Sequence, residues 1–254
     1  MSRGVQTRVW LGSIGHLMLM AVTAPLWAIA GMATLLLPYR WRYRILMSWA
    51  WMVIAALRPL CGIHTRVYGL ENLPQQACVV MAKHQSAWET LALPYWLDPA
   101  SWVLKRSLLR IPFFGWGLKI LRPIAIDRAA GKEAWQQILA QGERQLDEER
   151  WVIVFPEGTR VAPGERGRYR SGGAHLAIHT GRPIIPVAHN AGRCWPRRSL
   201  LRYPGEITVV FGPPIEAQGR SPSAVMAEVE TWIETQMAQI DQPTDQGPAN
   251  PNGS

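Results

Sequence analysis

Ala77-Cys78-Val79-Val80-Met81-Ala82-Lys83-His84-Gln85-Ser86-Ala87-Trp88-Glu89 sets the architecture of this chain. Residues 77–81 form an unbroken apolar run rich in valine, the pattern of a strand buried on both faces. A polar turn follows, and Trp88 to Leu97 reads as a helix. Outward from this unit the same grammar repeats. Ser101 to Leu104, Pro123 to Ile126, Trp151 to Phe155, Ile184 to Ala188 and Ile207 to Phe211 read as further strands. Ala134, Trp135, Ile138, Leu139 and Leu146 recur at helical spacing, as do Val225, Val229, Trp232, Ile233 and Met237. Strands alternating with helices predict an α/β fold with a mixed, partly parallel central sheet flanked by helices.

The N-terminal quarter is different. Val9 to Leu37 is 29 residues without one Asp, Glu, Lys or Arg. A spanning helix needs about 20 such residues to cross a hydrocarbon core of about 30 Å. Pro25 lies inside the run and is expected to kink or break it, leaving pieces of 16 and 12 residues. A second uncharged run, Ile45 to Leu57, has 13 residues. At about 1.5 Å per residue it reaches only about 20 Å, short for a span. Between them stands Tyr39-Arg40-Trp41-Arg42-Tyr43-Arg44, aromatic and basic, suited to a headgroup layer. Ala28-Ile29-Ala30 resembles a leader-cleavage site, but the apolar run continues beyond it to Leu37. The expectation is a membrane-anchoring helical hairpin over residues 1–62 that spans once or dips into one leaflet. A catalytic domain is expected over residues 63–241. Residues 242–254, rich in Pro, Gly, Asn and Asp, read as a flexible tail.

Composition narrows the function classes. The 254 residues are long enough for a full core, and 48% are hydrophobic against 18% charged, which excludes a disordered chain, a collagen or a coiled coil. Lys and Arg outnumber Asp and Glu by 27 to 18, a formal charge of +9 that favours an anionic partner. No nucleic-acid-binding motif accompanies that charge, so a membrane surface or a phosphorylated substrate is expected, and no nucleic acid. Cys61, Cys78 and Cys194 stand far apart and form neither a disulfide framework nor a metal knuckle. There is no GxSxG, GxxxxGK[ST], GxGxxG or HExxH, and no metal site is expected. His175 and His179 lie four apart on a helix without acidic or cysteine companions, and read as ordinary helix residues.

Two constellations remain. His84 sits at a strand-to-helix junction, where α/β domains bind substrates, and an imidazole there is suited to general-base work near neutral pH. Glu89 could orient it across the first helical turn. Ser86-Ala87-Trp88-Glu89 also fits a capping box, in which Glu89 only reaches back to a backbone amide. The residues alone leave both readings open. The second is Trp151-Val152-Ile153-Val154-Phe155-Pro156-Glu157-Gly158-Thr159-Arg160, a strand running into a turn. There Gly158 permits close backbone approach and Arg160 offers a donor fork suited to phosphate. Lys105, Arg106, Arg110, Lys119, Arg122 and Arg128 add cations around a single acid, Asp127.

Taken in order, these segments resemble the glycerolipid acyltransferases of the lysophosphatidic acid acyltransferase type. Four blocks carry the likeness: His84-Gln-Ser-Ala-Trp-Glu89, Arg122 to Arg128, Phe155-Pro-Glu-Gly-Thr-Arg160 and Ile184-Ile-Pro-Val-Ala188. Lys105 with Ile111-Pro-Phe-Phe-Gly115 matches a segment between the first two. The resemblance implies transfer of an acyl chain from acyl-CoA or acyl-carrier protein to the free hydroxyl of lysophosphatidic acid, giving phosphatidic acid. It implies His84 as base and Glu89 as its orienting carboxylate. It also implies substrate binding by Lys105, Arg128, Glu157, Gly158, Thr159 and Arg160, with the arginines and lysine on the phosphate and the other three shaping the loop. Neither a metal nor a cofactor is implied beyond the acyl donor as co-substrate, and the expected partners are the bilayer, the lysolipid and that donor. Another lysolipid or lipid alcohol as acceptor, or a catalytically weak lipid-binding scaffold, are the alternatives. The scaffold reading rests on Glu89 standing where the family usually has Asp. One extra methylene displaces a carboxylate by about 1.5 Å, and a 1 Å error can cost about 100-fold in rate. Apolar side chains at Phe113, Phe114 and Trp116 suit either an acyl path or the core. A compact chain without an organelle signal sets the expected location at a bacterial cytoplasmic membrane.

Overall fold

The computed structural model describes residues 3–127 and 133–241. Arg128 and the tail 242–254 lie outside them. Helices α1 (Arg3–Ala33) and α2 (Tyr39–Cys61) come first, then strands β1 (Ile63–Tyr68) and β2 (Val79–Ala82). Next are α3 (Trp88–Ala92), β3 (Ala100–Lys105), α4 (Phe114–Ile120) and β4 (Ile124–Ile126). The rest is α5 (Glu133–Asp147), β5 (Trp151–Val154), α6 (Gly172–Thr180), β6 (Ile184–His189), α7 (Ala191–Cys194), β7 (Gly205–Phe211) and α8 (Pro222–Ile240). The strands form one seven-stranded sheet in the order β1-β7-β6-β2-β5-β3-β4. Only the β6–β7 pair is antiparallel; the rest is parallel. The expected mixed α/β sheet is present.

Both faces of the sheet are covered, which explains why its central strands read as continuous apolar runs. In β2, Val80 and Ala82 face α2 and α3, packing with Leu46, Ala50 and Trp88. Val79 and Met81 face the other way, onto α5, α6 and α8 through Ile138, Leu176, Val229 and Ile233. β1 escapes the sequence reading because Ile63-His64-Thr65-Arg66-Val67-Tyr68 is an edge strand, mostly solvent-facing and without an apolar run. The helix expected over Trp88 to Leu97 is shorter: α3 ends at Ala92 and continues as a 3₁₀ turn through Leu93–Tyr95, where Pro94 denies an α-helical amide.

The N-terminal helices also correct the reading from charge-free runs. α1 passes through Pro25 as one helix of 31 residues. α2 has 23 residues, longer than its 13 uncharged positions, because Arg44 and Arg58 lie inside it. Both are long and apolar enough to cross a membrane. They pair antiparallel, and several polar groups along the middle of α1 turn inward. His16 Nε2 meets the Val53 carbonyl at 3.0 Å, and Trp27 Nε1 donates to Ser48 Oγ at 2.9 Å. Trp49 Nε1 donates to Thr23 Oγ1 at 2.9 Å. Satisfying polar groups internally frees the opposite face, where Leu11, Met18, Val22 and Leu26 stand exposed. α2 shares its other face with the sheet, so the hairpin and the α/β body have one continuous core.

The close packing of the pair requires Gly12. A Cβ there would lie 2.1 Å from the Leu60 carbonyl oxygen, inside any allowed contact. Gly12→Val is expected to push α1 off α2 and lower the thermal unfolding midpoint in detergent by at least about 4 °C. An unchanged midpoint would show that the helices do not meet this closely.

Candidate active site

The carboxyl ends of β2 and β5 lie side by side, because the strands pair in parallel through Val79–Val152 and Met81–Val154. The segment after β2 delivers His84, and the segment after β5 delivers Phe155 to Arg160. His84 Nδ1 lies 2.9 Å from Glu89 Oε1. The same oxygen accepts the backbone N–H groups of Gln85 at 2.9 Å and Ser86 at 2.8 Å. Glu89 thus performs the capping contact and the imidazole contact at once. Its longer side chain still brings the carboxylate to an ordinary hydrogen-bond distance from the imidazole.

Glu89 is fully buried. Burial pushes its pKa up, but the imidazoles of His189 and His84 and the Ser86 amide outweigh this and hold it below the usual carboxylate value. His189 is itself buried, and burial pushes its pKa down. Its Nε2 meets the Lys83 carbonyl at 2.8 Å and its Nδ1 accepts the Ala191 amide at 3.3 Å, the pattern of a neutral ring. The donors that converge on Oε1 are therefore the firmer reason for an ionised Glu89. With Nδ1 turned to the carboxylate, His84 keeps Nε2 without a hydrogen-bond partner among the described residues. The ring stacks on Phe155, with centroids 4.1 Å apart and planes 15° apart.

His84 borders a cavity of about 300 Å³ between the two N-terminal helices and the sheet. Trp27, Leu46, Trp102, Leu108 and Phe114 are among its apolar walls, and among the described residues Arg160 is the one cation lining it. Phe113 also borders it, while Trp116, grouped with these two in the sequence reading, does not. Lys105 ends β3 as an exposed residue, and Thr159 is exposed on the loop. Gly158 has φ +66°, so a side chain there would be strained, and it borders a second cavity rather than this one.

Glu157 points inward. It is 4% exposed, with Oε1 taking the Lys83 Nζ at 2.9 Å and the Gly167 N–H at 3.1 Å. Its Oε2 takes the His84 N–H at 2.9 Å. Both oxygens are engaged within the protein, so this side chain holds the loop and does not face the cavity. Lys83, 1% exposed, donates further to Glu234 Oε1 of α8 at 2.8 Å, an oxygen that also accepts the Tyr169 hydroxyl at 2.8 Å. Burial, and then the carboxylates of Glu157 and Glu234, push the Tyr169 pKa far up, so it stays a donor. Sequence reasoning missed Lys83, Tyr169 and Glu234. Lys83 stood beside His84, but nothing in its type announced a buried lysine.

Lys83→Met would leave Glu157 buried without its counter-charge. Breaking a buried pair this way costs about 3–5 kcal/mol. A marked fall in the unfolding midpoint is expected from a thermal scan, and a midpoint within error of the parent would show that the pair carries no such load.

Comparison with known proteins places these features. The acyltransferase family model matches residues 64–190. A 1-acyl-sn-glycerol-3-phosphate acyltransferase of Pseudomonas aeruginosa is 46% identical over 209 residues, which is 81% of this chain and 81% of that protein. The alpha form of the same enzyme from Mus musculus is 31% identical over 172 residues, 66% of this chain and 60% of that protein. The crystal structure of the 1-acyl-sn-glycerophosphate acyltransferase of Thermotoga maritima superposes with a TM-score of 0.78, covering 95% of this chain and 99% of that one. At 19% identity it shares the fold.

Proposed function

This chain belongs to the acyltransferase family, and on that premise we propose that it is a 1-acyl-sn-glycerol-3-phosphate acyltransferase. It moves an acyl chain from acyl-CoA or acyl-carrier protein to the free hydroxyl of lysophosphatidic acid, giving phosphatidic acid. The observation that carries the mechanism is the 2.9 Å contact of His84 Nδ1 with Glu89 Oε1 at the wall of an apolar cavity. Nε2 takes the proton of the acceptor hydroxyl as its oxygen attacks the thioester carbonyl carbon. The C–O bond forms, the C–S bond breaks, and the imidazolium returns its proton to the departing thiolate. Glu89 holds the tautomer with Nδ1–H and stabilises the transient positive charge.

An apolar cavity of about 300 Å³ suits a fatty acyl chain. Arg160 beside His84 supplies a phosphate-binding fork, with Lys105 and, from its sequence block, Arg128 as further cations. Gly158 and Thr159 shape the loop that carries Arg160, and Glu157 anchors it from inside. The mechanism uses neither a metal nor a cofactor beyond the acyl donor. The two long apolar helices support attachment to a bilayer, and similarity to the Pseudomonas aeruginosa enzyme favours a bacterial cytoplasmic membrane.

The test is thiol release from acyl-CoA and from acyl-carrier protein by the purified protein in detergent. Release is expected to require lysophosphatidic acid and to fall at least about 100-fold in His84→Ala. Release that ignores the lysolipid, or survives in the variant, would overturn the reading. Glu89→Gln keeps an acceptor for the three donors but removes the charge. A fall of about 100-fold in kcat with a near-parental unfolding midpoint is expected. A parental rate would leave Glu89 with its capping contact alone.

A further inference from the structure

The two cavities lie on opposite faces of the sheet and share lining residues near its carboxyl edge. The first is walled by α1 and α2. The second, of about 740 Å³, is walled by α5, α8 and the loop leading into α6. Val103 and Phe155 border both. Phe155 is the residue stacked on His84, so the ring that touches the imidazole also borders the second cavity.

The second cavity is lined by Arg168, Arg170, Ser171 and Ser223 where the first is apolar. Of Arg166, Arg168 and Arg170, which lead into α6, Arg166 pairs with Glu230 at 2.6 Å. Arg168 and Arg170, the two that border the cavity, have no carboxylate partner among the described residues. The nearby acids are committed elsewhere: Glu157 to Lys83, Glu234 to Lys83 and Tyr169. Arg170 lies across Gly158, where a Cβ would come within 3.2 Å of its Nε. The glycine of the loop thus makes room for an arginine as well as for the turn. Ser171 spends no side-chain bond on capping α6, and the amide end of that nine-residue helix opens here, adding positive potential to the two guanidinium groups.

Resting on the acyl-transfer reading above, we propose that this second cavity receives the phosphate-bearing phosphopantetheine arm of the acyl donor. The acceptor, with its own acyl chain, is a membrane lipid and enters between α1, α2 and the sheet. The donor's carrier is water-borne, and it enters on the face away from those helices. Its thioester reaches His84 past Phe155 and Gly158, with the acyl chain in the apolar cavity. The phosphate at the far end of the arm then meets Arg168 and Arg170. When the C–O bond forms and the C–S bond breaks, the lipid product stays on the membrane side. The thiol leaves on the aqueous side.

The experiment pairs steady-state kinetics with direct binding, using the full chain in detergent and an Arg168→Ala/Arg170→Ala double variant. Both residues are exposed, so the fold is expected to survive, and a thermal scan checks this. KM for the donor is expected to rise about tenfold or more, with kcat and the KM for lysophosphatidic acid near parental. Binding of free CoA and of holo-acyl-carrier protein, followed without any acceptor, is expected to weaken by a similar factor and to lose part of its salt dependence. Weakening with both carriers assigns the shared phosphopantetheine phosphate. Weakening with CoA alone assigns CoA as the donor that fills the cavity. Unchanged affinity and KM for both carriers would overturn the proposal, as would a rise confined to the KM for the lysolipid. The binding arm stands even if the parent transfers no acyl group, which separates failure of this proposal from failure of the functional reading.

Discussion

The carboxylate of Glu157 ties the segment after β2 to the loop after β5. It receives the buried ammonium of Lys83, the amide of His84 and the amide of Gly167, so the segments after β2 and β5 cannot move independently. Through Lys83 the same node reaches Glu234 on α8, and through Glu234 it reaches Tyr169. A charge buried this deeply is tolerated only when its partners are complete, which ties the position of the His84 backbone to three separate elements. Glu89 then sets the ring on that fixed backbone with a second convergent oxygen. Two carboxylates thus divide the work: one places the main chain of the histidine, the other its imidazole.

The parallel centre of the sheet gives this node its consequences. Parallel strands end together, so β2, β5 and β3 present their carboxyl ends along one edge. With helices on both faces, that edge opens two ways. Toward α1 and α2 the walls are apolar and the helices beyond them carry exposed leucine, methionine and valine. Toward α5, α6 and α8 the walls carry arginine and serine. His84 and Phe155 stand at the divide. The two faces of the sheet thus separate an apolar side from a polar, cationic side at the candidate site.

Much of this was legible in the residues. The valine-rich runs identified six of the seven strands because burial on both faces leaves no polar alternation to confuse them. His84, Glu89 and the Phe155 to Arg160 loop were legible because their residue types and spacing are constrained by chemistry. The edge strand β1 was not, since exposure removes the apolar signal, and neither was the full length of α2, whose terminal arginines mask its helical span. Pro25 does not break α1, whose helix packs against α2 along its length.

The sequence by itself determined the alternation of strand and helix and the apolar N-terminal pair, and it singled out His84 with Glu89 as the candidate base and carboxylate. These follow from periodicity, hydrophobicity and side-chain chemistry, which are local. Only the tertiary structure decided that Glu157 faces inward to a buried lysine, and that Gly158 belongs to a different cavity from Arg160. It alone decided that residues as distant as Lys83 and Glu234 share one ion-pair network. The physical reason is that burial and pairing are properties of a position in space. A lysine beside a histidine reads as a surface charge until α8 is laid against it.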